Sequence, residues 1–127
     1  MGSEGYRGLR VWQKAKELAV TVYTATSTGP LAKDFGLRDQ MRRAAVSIPS
    51  NIAEGDERDT NKDSVRFLFI AKGSLAELRT QLEIARDVRA LDLATYENLE
   101  VTCAEIGRML GSLIKARPSS GPITHDP

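Results

Sequence analysis

Residues 37–55, Leu-Arg-Asp-Gln-Met-Arg-Arg-Ala-Ala-Val-Ser-Ile-Pro-Ser-Asn-Ile-Ala-Glu-Gly, decide the fold class of this chain. Their apolar side chains recur at spacings of 4, 3, 4 and 4 residues, which places them on one side of a helix. These side chains belong to Leu37, Met41, Ala44, Ile48 and Ile52. Pro49 lies inside the pattern, where a proline removes a hydrogen-bond donor and costs about 3 kcal/mol. We therefore predict a helix that is kinked at Pro49 and held in place by tertiary packing.

A break at the proline is the alternative interpretation of this stretch. Asn51 followed by Glu54 resembles a capping box, which would restart a helix after Pro49. Ile48 precedes the proline and is therefore pushed away from helical backbone angles. The kinked, continuous helix is the favoured interpretation of the two.

Three further amphipathic helices are predicted on either side of this one. The first covers about residues 9–26, and the sequence Thr-Gly-Pro ends it. Its inner stripe consists of Trp12, Ala15, Ala19, Val22 and Tyr23, with Val11 and Leu18 alongside. The third covers about residues 61–88 after an N-cap at Thr60, and the fourth covers about residues 93–116 after an N-cap at Asp92.

The third predicted helix carries two apolar surfaces. A strict heptad seam, typical of helical bundles, consists of Leu68, Ala71, Leu75, Leu78, Leu82 and Ala85. A second flank consists of Phe67, Ile70, Ile84 and Val88. One seam is enough for the core of a monomeric bundle, so the second flank predicts a surface that binds a partner.

The predicted fold class is all-α, an antiparallel up-down-up-down four-helix bundle whose second helix is kinked at Pro49. The chain of 127 residues is long enough for one domain with a core. We expect a flexible N-terminus over residues 1–8, the bundle over residues 9–116 and a disordered tail over residues 117–127.

Composition narrows the possible functions. Eighteen Lys and Arg against seventeen Asp and Glu give a net charge of +1, which is low for a dedicated nucleic-acid-binding protein. The single cysteine, Cys103, excludes an intramolecular disulfide framework and is typical of a reducing compartment. No apolar run reaches the length of a membrane span, and residues 1–8 lack a signal-peptide pattern. We therefore expect a cytoplasmic protein without a membrane partner.

Polar residues form a second row on each of the two central predicted helices. The rows consist of Gln40, Arg43, Ser47, Asn51 and Glu54 on one helix, and Ser74, Glu77 and Gln81 on the other. If the helices turn near Arg58, Arg43 lies level with Gly73 and can pair with Glu77. We predict a buried network that sets the register of the helices, whose disruption at Arg43 would cost about 3–5 kcal/mol. A polar pocket is the alternative.

Basic residues on the helices are the candidates for contacts with nucleic acid. They are Arg10 and Lys14 on the first predicted helix, Arg38 and Arg42 on the second, and Arg79 and Arg86 on the third. Acidic residues lie between them, and we expect Arg42 to pair with Asp39. Solvated faces with weak ion pairs are therefore the favoured interpretation.

No catalytic set is found in the sequence. The one histidine, His125, lies in the expected tail, so neither a Ser-His-Asp nor a Cys-His arrangement is predicted. The acidic residues at positions 54–59 lack the ligand spacing and glycine of a calcium loop, and no Glu-x-x-His repeat occurs. We expect no catalytic residues, no metal site and no cofactor.

Three sequence blocks resemble one protein family. They are Val-Trp-Gln-Lys-Ala at residues 11–15, the motif Leu-x-x-Gln-x-x-Arg-Ala-x-x-Ser-Ile-Pro-x-Asn-Ile-Ala-Glu-Gly at residues 37–55, and Phe-Leu-x-Ile-Ala-x-Gly-Ser-Leu-x-Glu-Leu-x-x-Gln-Leu at residues 67–82. Over residues 9–113 the chain is similar to the bacterial four-helix-bundle proteins encoded within 23S ribosomal RNA intervening sequences. The accessory variability protein of diversity-generating retroelements is similar too.

The resemblance implies a four-helix bundle that assembles into a homopentamer, with no established enzymatic activity. In the retroelement relatives, a positively charged pentamer binds nucleic acid and a reverse transcriptase, whereas this chain is almost neutral. We therefore expect a non-enzymatic oligomeric scaffold or adaptor. The alternative is an RNA- or DNA-binding accessory protein, and an enzyme that uses the Arg43–Glu77 rows is a third hypothesis.

Overall fold

The computed structural model describes residues 5–117, and within them all regular structure is helical. The helices are α1 (Arg10–Ala25), α2 (Gly29–Lys33), α3 (Phe35–Asp56), α4 (Asn61–Asp87) and α5 (Leu93–Lys115), preceded by a 3₁₀ turn at Gly5–Gly8. The all-α fold class is therefore confirmed. The domain boundaries stay predictions, because residues 1–4 and 118–127 lie outside the described part of the chain.

Two short elements were not predicted. Residues 5–8, which we expected to be flexible, form the 3₁₀ turn, and the Tyr6 ring packs edge-on against Trp12 with 5.2 Å between ring centroids. The connection after α1 contains α2, a single helical turn with Pro30 near its start. A proline there has no hydrogen bond to lose and already holds a helical φ angle.

Side-chain caps set where three of the helices begin. The Thr60 hydroxyl accepts a hydrogen bond from the Asp63 backbone N–H at 3.1 Å, and the Asp92 carboxylate accepts one from the Thr95 N–H at 3.2 Å. Both caps were predicted. Asp34 caps α3 in the same way, through the Leu37 N–H at 3.2 Å. Each cap satisfies a backbone donor that has no partner inside the helix.

Helix α3 runs unbroken through Pro49, and the proline ring is buried. The alternative of a break followed by a restart at Asn51 is therefore wrong. Burial of the flanking Ile48 and Ile52, both without exposed surface, explains how packing holds a helix that contains an interior proline.

The core is formed by the apolar stripes of the four long helices. All six residues of the α4 heptad seam are buried, as are the α5 residues Leu99, Cys103, Ile106 and Leu110. Helix α3 contacts both α1 and α4, and α5 contacts the same two helices. This packing is compatible with a four-helix bundle.

The inner stripe of α1 is rotated from the predicted one. Val11, Ala15, Leu18, Ala19 and Val22 are buried. Trp12 is partly buried and packs against the core, whereas Tyr23 is 44% exposed, so the prediction that Tyr23 belongs to the inner stripe was wrong. Val11 and Leu18 point to the centre instead, and the two aromatic residues lie along the edge of α1.

The register of α3 against α4 also differs from the prediction. Ser47 lies against Ser74, and Gly55 lies against Ser64 and Phe67. Arg43 is therefore level with residues near position 78, about one helical turn beyond Gly73. The reason is that α3 continues to Asp56, which moves the middle of the turn from Arg58 to about Thr60.

Candidate functional site

Three of the predicted polar residues form a hydrogen-bonded network between α3 and α4. The Ser47 and Ser74 hydroxyls share a hydrogen bond of 2.8 Å, and Ser74 is only 7% exposed. The Asn51 amide donates to the Ser47 hydroxyl at 3.0 Å and to the Ser47 carbonyl at 2.9 Å. This network lies at the helix interface, where it satisfies the polar groups and favours one register.

The other members of the polar rows do not join this network. Gln40, Arg43, Glu54 and Glu77 are exposed. Glu54 pairs with Arg58 in the turn after α3, and within residues 5–117 Arg43 and Glu77 form no ion pair. The predicted buried Arg43–Glu77 pair is therefore not formed, because both side chains lie on the outer surface of their helices.

Gln81 behaves differently from the rest of its row. Its side chain is buried at 8% exposure, and its Oε1 atom has no hydrogen-bond partner in the described structure. A buried carbonyl oxygen without a donor is unfavourable by about 1–3 kcal/mol.

The glycine that permits close helix approach is Gly55 rather than Gly73. A Cβ atom at Gly55 would lie 3.0 Å from the Ser64 carbonyl oxygen and 3.3 Å from the Phe67 Cβ. A Cβ atom at Gly73 would meet nothing within 4 Å. Gly73 therefore does not bring the two backbones together, because it lies on the exposed side of α4.

Four of the six candidate nucleic-acid residues are held in ion pairs. Lys14 pairs with Glu105 at 3.2 Å, Arg38 with Asp39 at 2.9 Å and Arg86 with Asp87 at 2.8 Å, while Arg79 forms a two-bond contact with Glu100. The six residues are distributed over α1, α3 and α4. The structure therefore does not bring them together into one basic patch.

Arg42 and Arg10 are not paired with carboxylates in the described structure. Arg42 donates to the Thr26 hydroxyl at 2.8 Å and to the Ser27 hydroxyl at 3.2 Å, and its guanidinium lies 4.5 Å from the centre of the Tyr23 ring. The expected Arg42–Asp39 pair is therefore wrong, since Arg38 occupies Asp39. Arg10 is exposed at the start of α1.

Shifted pKa values occur at structural contacts. The hydrogen bond to Glu100 raises the pKa of Arg79, and the hydrogen bond to Asp87 raises that of Arg86. Hydrogen bonds from Thr95 lower the pKa of Asp92, the cap of α5. Burial raises the pKa of Cys103 to about 12, so this thiol stays protonated at neutral pH and is a poor nucleophile.

An exposed apolar groove runs between α1 and α3, with a volume of about 480 Å³. Val20, Tyr23 and Val46 are 59%, 44% and 42% exposed, although all three are large and apolar. We call this surface the α1–α3 groove; its lining residues are Tyr6, Trp12, Lys16, Ala19, Val20, Tyr23, Val46, Pro49, Ser50 and Ala53.

A second exposed apolar surface lies on α4, away from its buried seam. Ile70 and Ile84 are 42% and 47% exposed, and Val88, immediately after the helix, is 62% exposed. Phe69, at 53%, extends this surface and was not in the predicted flank. We call these four residues the α4 outer face.

Phe67 belongs to the predicted flank but not to the α4 outer face. Its ring is partly buried and lies 4.4 and 4.5 Å from the guanidinium groups of Arg58 and Arg66.

Sequence analysis did not identify a contact that joins three segments. Arg117, just beyond α5, donates to the Ser64 hydroxyl and lies 3.8 Å from the Asp56 carboxylate. Its side chain is only 15% exposed. We had placed Arg117 in the tail and Asp56 in a solvated turn; nothing in the local pattern relates two residues that lie so far apart in the sequence.

Within residues 5–117, no three His, Cys, Asp or Glu side chains are close enough together to hold a metal ion. In the same residues, no helix combines the length and the apolar character that crossing a bilayer requires.

Comparison with known proteins identifies a family and solved structures of similar fold. The pattern of the family described as 23S rRNA-intervening sequence protein matches residues 7–112. The chain is also similar to the crystal structure of a protein from Bacteroides thetaiotaomicron VPI-5482, which has an unknown function and is assigned to the S23 ribosomal protein family. The two share 28% sequence identity, with a TM-score of 0.76. The similarity covers 83% of this chain and 98% of that one. No curated protein sequence matches the chain.

Proposed function

The chain belongs to the 23S rRNA-intervening sequence protein family, and from its surface we propose that it is a non-enzymatic scaffold that assembles into a homopentamer. The observation that carries the proposal is the pair of exposed apolar surfaces, the α1–α3 groove and the α4 outer face. Each exposes several large apolar side chains to water, and their removal from water favours association.

The two surfaces suit a ring of identical subunits. Helix α3 contacts both α1 and α4, so the groove on its α1 side and the α4 outer face belong to different sides of the molecule. When one surface of a subunit binds a different surface of the next, the contacts are heterologous and can close into a ring. A pentamer is such a ring, and it would cover both surfaces on every copy.

The surfaces also match in form. From Ile70 to Val88 the α4 outer face is about 27 Å long at 1.5 Å per residue, and it is convex because it is one side of a helix. The α1–α3 groove is concave and lined mainly by apolar and aromatic side chains. We propose that the α4 outer face of one copy occupies the groove of its neighbour.

Within each subunit we propose an antiparallel up-down-up-down bundle with α3 bent at Pro49. Support comes from contacts in which residue numbers rise along one helix as they fall along the next. Ser47 lies against Ser74 and Gly55 against Ser64, while Arg79 contacts Glu100 and Gly107 lies against Leu75. We propose the cytoplasm as the location of the protein. Its one cysteine, Cys103, is a free and buried thiol, which suits a reducing compartment.

Light scattering coupled to size-exclusion chromatography tests the assembly. Five copies of the 13.9 kDa chain give a mass of about 70 kDa. A monomeric mass at micromolar concentration would refute the proposal.

Three exposed-residue variants test the surfaces. Val46→Glu charges the groove and Ile84→Glu charges the α4 outer face, and each should reduce the mass to that of smaller species. Val101→Glu is the matched control, because Val101 is 66% exposed on α5, outside both surfaces. If the oligomer persists in both Val46→Glu and Ile84→Glu, or dissociates to the same extent in Val101→Glu, the two surfaces are not the interfaces of the oligomer.

The nucleic-acid alternative has less support, because four of the six candidate basic residues are already paired with carboxylates. Titration of a labelled structured RNA at two salt concentrations distinguishes it from the scaffold. Binding through phosphate contacts would weaken steeply as salt rises. Affinity of that kind, in the absence of a stable oligomer, would favour the alternative over the scaffold.

A further inference from the structure

A cavity of about 550 Å³ lies between the α1–α2 and α4–α5 connections. One wall includes Thr28 and Gly29, and the other includes Arg86, Arg89 and Asp92. Its volume lies within the range of about 300–1,000 Å³ that is usual for small-molecule sites. None of the functional proposals above uses this cavity.

Arg89 has an unusual backbone conformation at the rim of the cavity. Its φ angle is +61°, the one positive value of a residue other than glycine in the described part of the chain. The Ala90 N–H bonds to the Ala85 carbonyl at 2.8 Å and the Arg89 N–H bonds to the Arg86 carbonyl at 3.0 Å. These two bonds define a Schellman motif, in which the position of Arg89 is normally occupied by glycine.

An arginine at this position gives up backbone stability that a glycine would keep. The Schellman motif therefore does not explain why this position is occupied by an arginine. What the arginine adds is an exposed guanidinium beside the cavity, with no carboxylate partner among residues 5–117.

The other charged groups of the cavity are already engaged. Arg86 pairs with Asp87 and its guanidinium lies 4.6 Å from the centre of the Tyr96 ring. The Asp92 carboxylate caps α5 through the Thr95 N–H. The lining therefore carries two guanidinium groups and one carboxylate, and the cation that remains available is Arg89.

We propose that this cavity binds a small organic phosphate, whose phosphate group is held by Arg89. Guanidinium groups form strong, paired hydrogen bonds with phosphate oxygens. The cavity is larger than a phosphate ion alone, so the remaining volume accommodates an organic group. None of the residues that line the cavity belongs to either apolar surface.

Thermal unfolding and calorimetric titration of the full chain test the site, with adenosine 5′-monophosphate and inorganic phosphate as probes at constant ionic strength. Both probes should raise the melting temperature of the wild-type protein, and the nucleotide should do so more. Adenosine, which has no phosphate, should leave the melting temperature unchanged.

Arg89→Gly separates the two roles of the residue. The unliganded variant should melt about 2–5 °C higher, because glycine adopts a positive φ without strain. Its affinity for the nucleotide should fall about tenfold or more, as expected for the loss of a charged hydrogen bond. If the substitution only disrupted the structure, the melting temperature and the affinity would both fall. A higher melting temperature together with a weaker affinity therefore identifies a binding role for Arg89.

Arg108→Ala is the matched control, because it removes an exposed arginine from α5 outside the cavity. Its affinity for the nucleotide should equal that of the wild type. The proposal is overturned if neither phosphate probe binds at millimolar concentration, if adenosine acts as strongly as the nucleotide, or if Arg89→Gly binds unchanged.

Discussion

The same substitution at two glycines should have opposite effects on stability. Gly55 and Gly73 both lie in long helices, α3 and α4, yet only Gly55 is in close contact with a neighbouring helix. An added Cβ at Gly55 would lie 3.0 Å from the Ser64 carbonyl oxygen, which belongs to the backbone and cannot rotate away. An added Cβ at Gly73 would meet nothing within 4 Å.

The expected magnitudes follow from two opposing effects. Replacing glycine by alanine inside a helix stabilises by about 1 kcal/mol, so Gly73→Ala should be more stable than the wild type by about that amount. At Gly55 the gain is smaller, because α3 ends one residue later, and overpacking costs about 1–3 kcal/mol. The two variants should therefore differ by about 2–4 kcal/mol, or about 8–16 °C in melting temperature.

Urea unfolding followed by circular dichroism measures this difference. Gly73 adjoins the α4 outer face, so the measurement is repeated at two protein concentrations to separate folding from association. Equal stability of the two variants, or a more stable Gly55→Ala, would refute the close packing of α3 against α4.

Three further predictions concern single side chains. Arg43→Ala should change the free energy of unfolding by no more than about 0.5 kcal/mol, because the side chain is exposed and unpaired within residues 5–117; a loss of several kcal/mol in urea unfolding would restore the buried network. Arg117→Ala should lower the free energy of unfolding by about 1–3 kcal/mol, because it leaves the Asp56 carboxylate and the buried Ser64 hydroxyl without their partner. Urea unfolding should show this loss, and an unfolding midpoint equal to that of the wild type would contradict the contact. Cys103, whose pKa is raised to about 12 by burial, should react with a thiol reagent at pH 8 only after denaturation, and rapid reaction of the folded protein would show that the thiol is accessible.

Local pattern was sufficient for most of the fold. The heptad seam of α4 repeats so regularly that its burial follows from helical geometry, and Thr60 and Asp92 cap their helices through contacts only three residues away. The rotated inner stripe of α1 was harder to predict. Trp12 and Tyr23 are largely apolar side chains next to Val11 and Leu18, and periodicity alone does not say which side of a wide apolar stripe faces the centre.

Contacts between helices were predicted less well. The pairing of Arg43 with Glu77 required both side chains to face the neighbouring helix, and both are exposed instead. The register of α3 on α4 also differs from the predicted one by about one helical turn. The link between Arg117 and Ser64 has no local signal, because its partners lie 53 residues apart. The αL conformation of Arg89 was not predicted either, because this conformation usually requires glycine and the sequence has an arginine at that position.

The sequence by itself determined that this chain is helical, where its four long helices begin and end, and which stripes of α4 and α5 are buried. These properties depend on interactions within about one helical turn, which the order of residues specifies directly. Only the tertiary structure decided that Ser47 meets Ser74, that Gly55 rather than Gly73 is the point of close approach, and that two apolar surfaces stay uncovered on a single subunit. Those properties depend on distances between segments far apart in the chain, and helix packing, rather than local pattern, sets those distances.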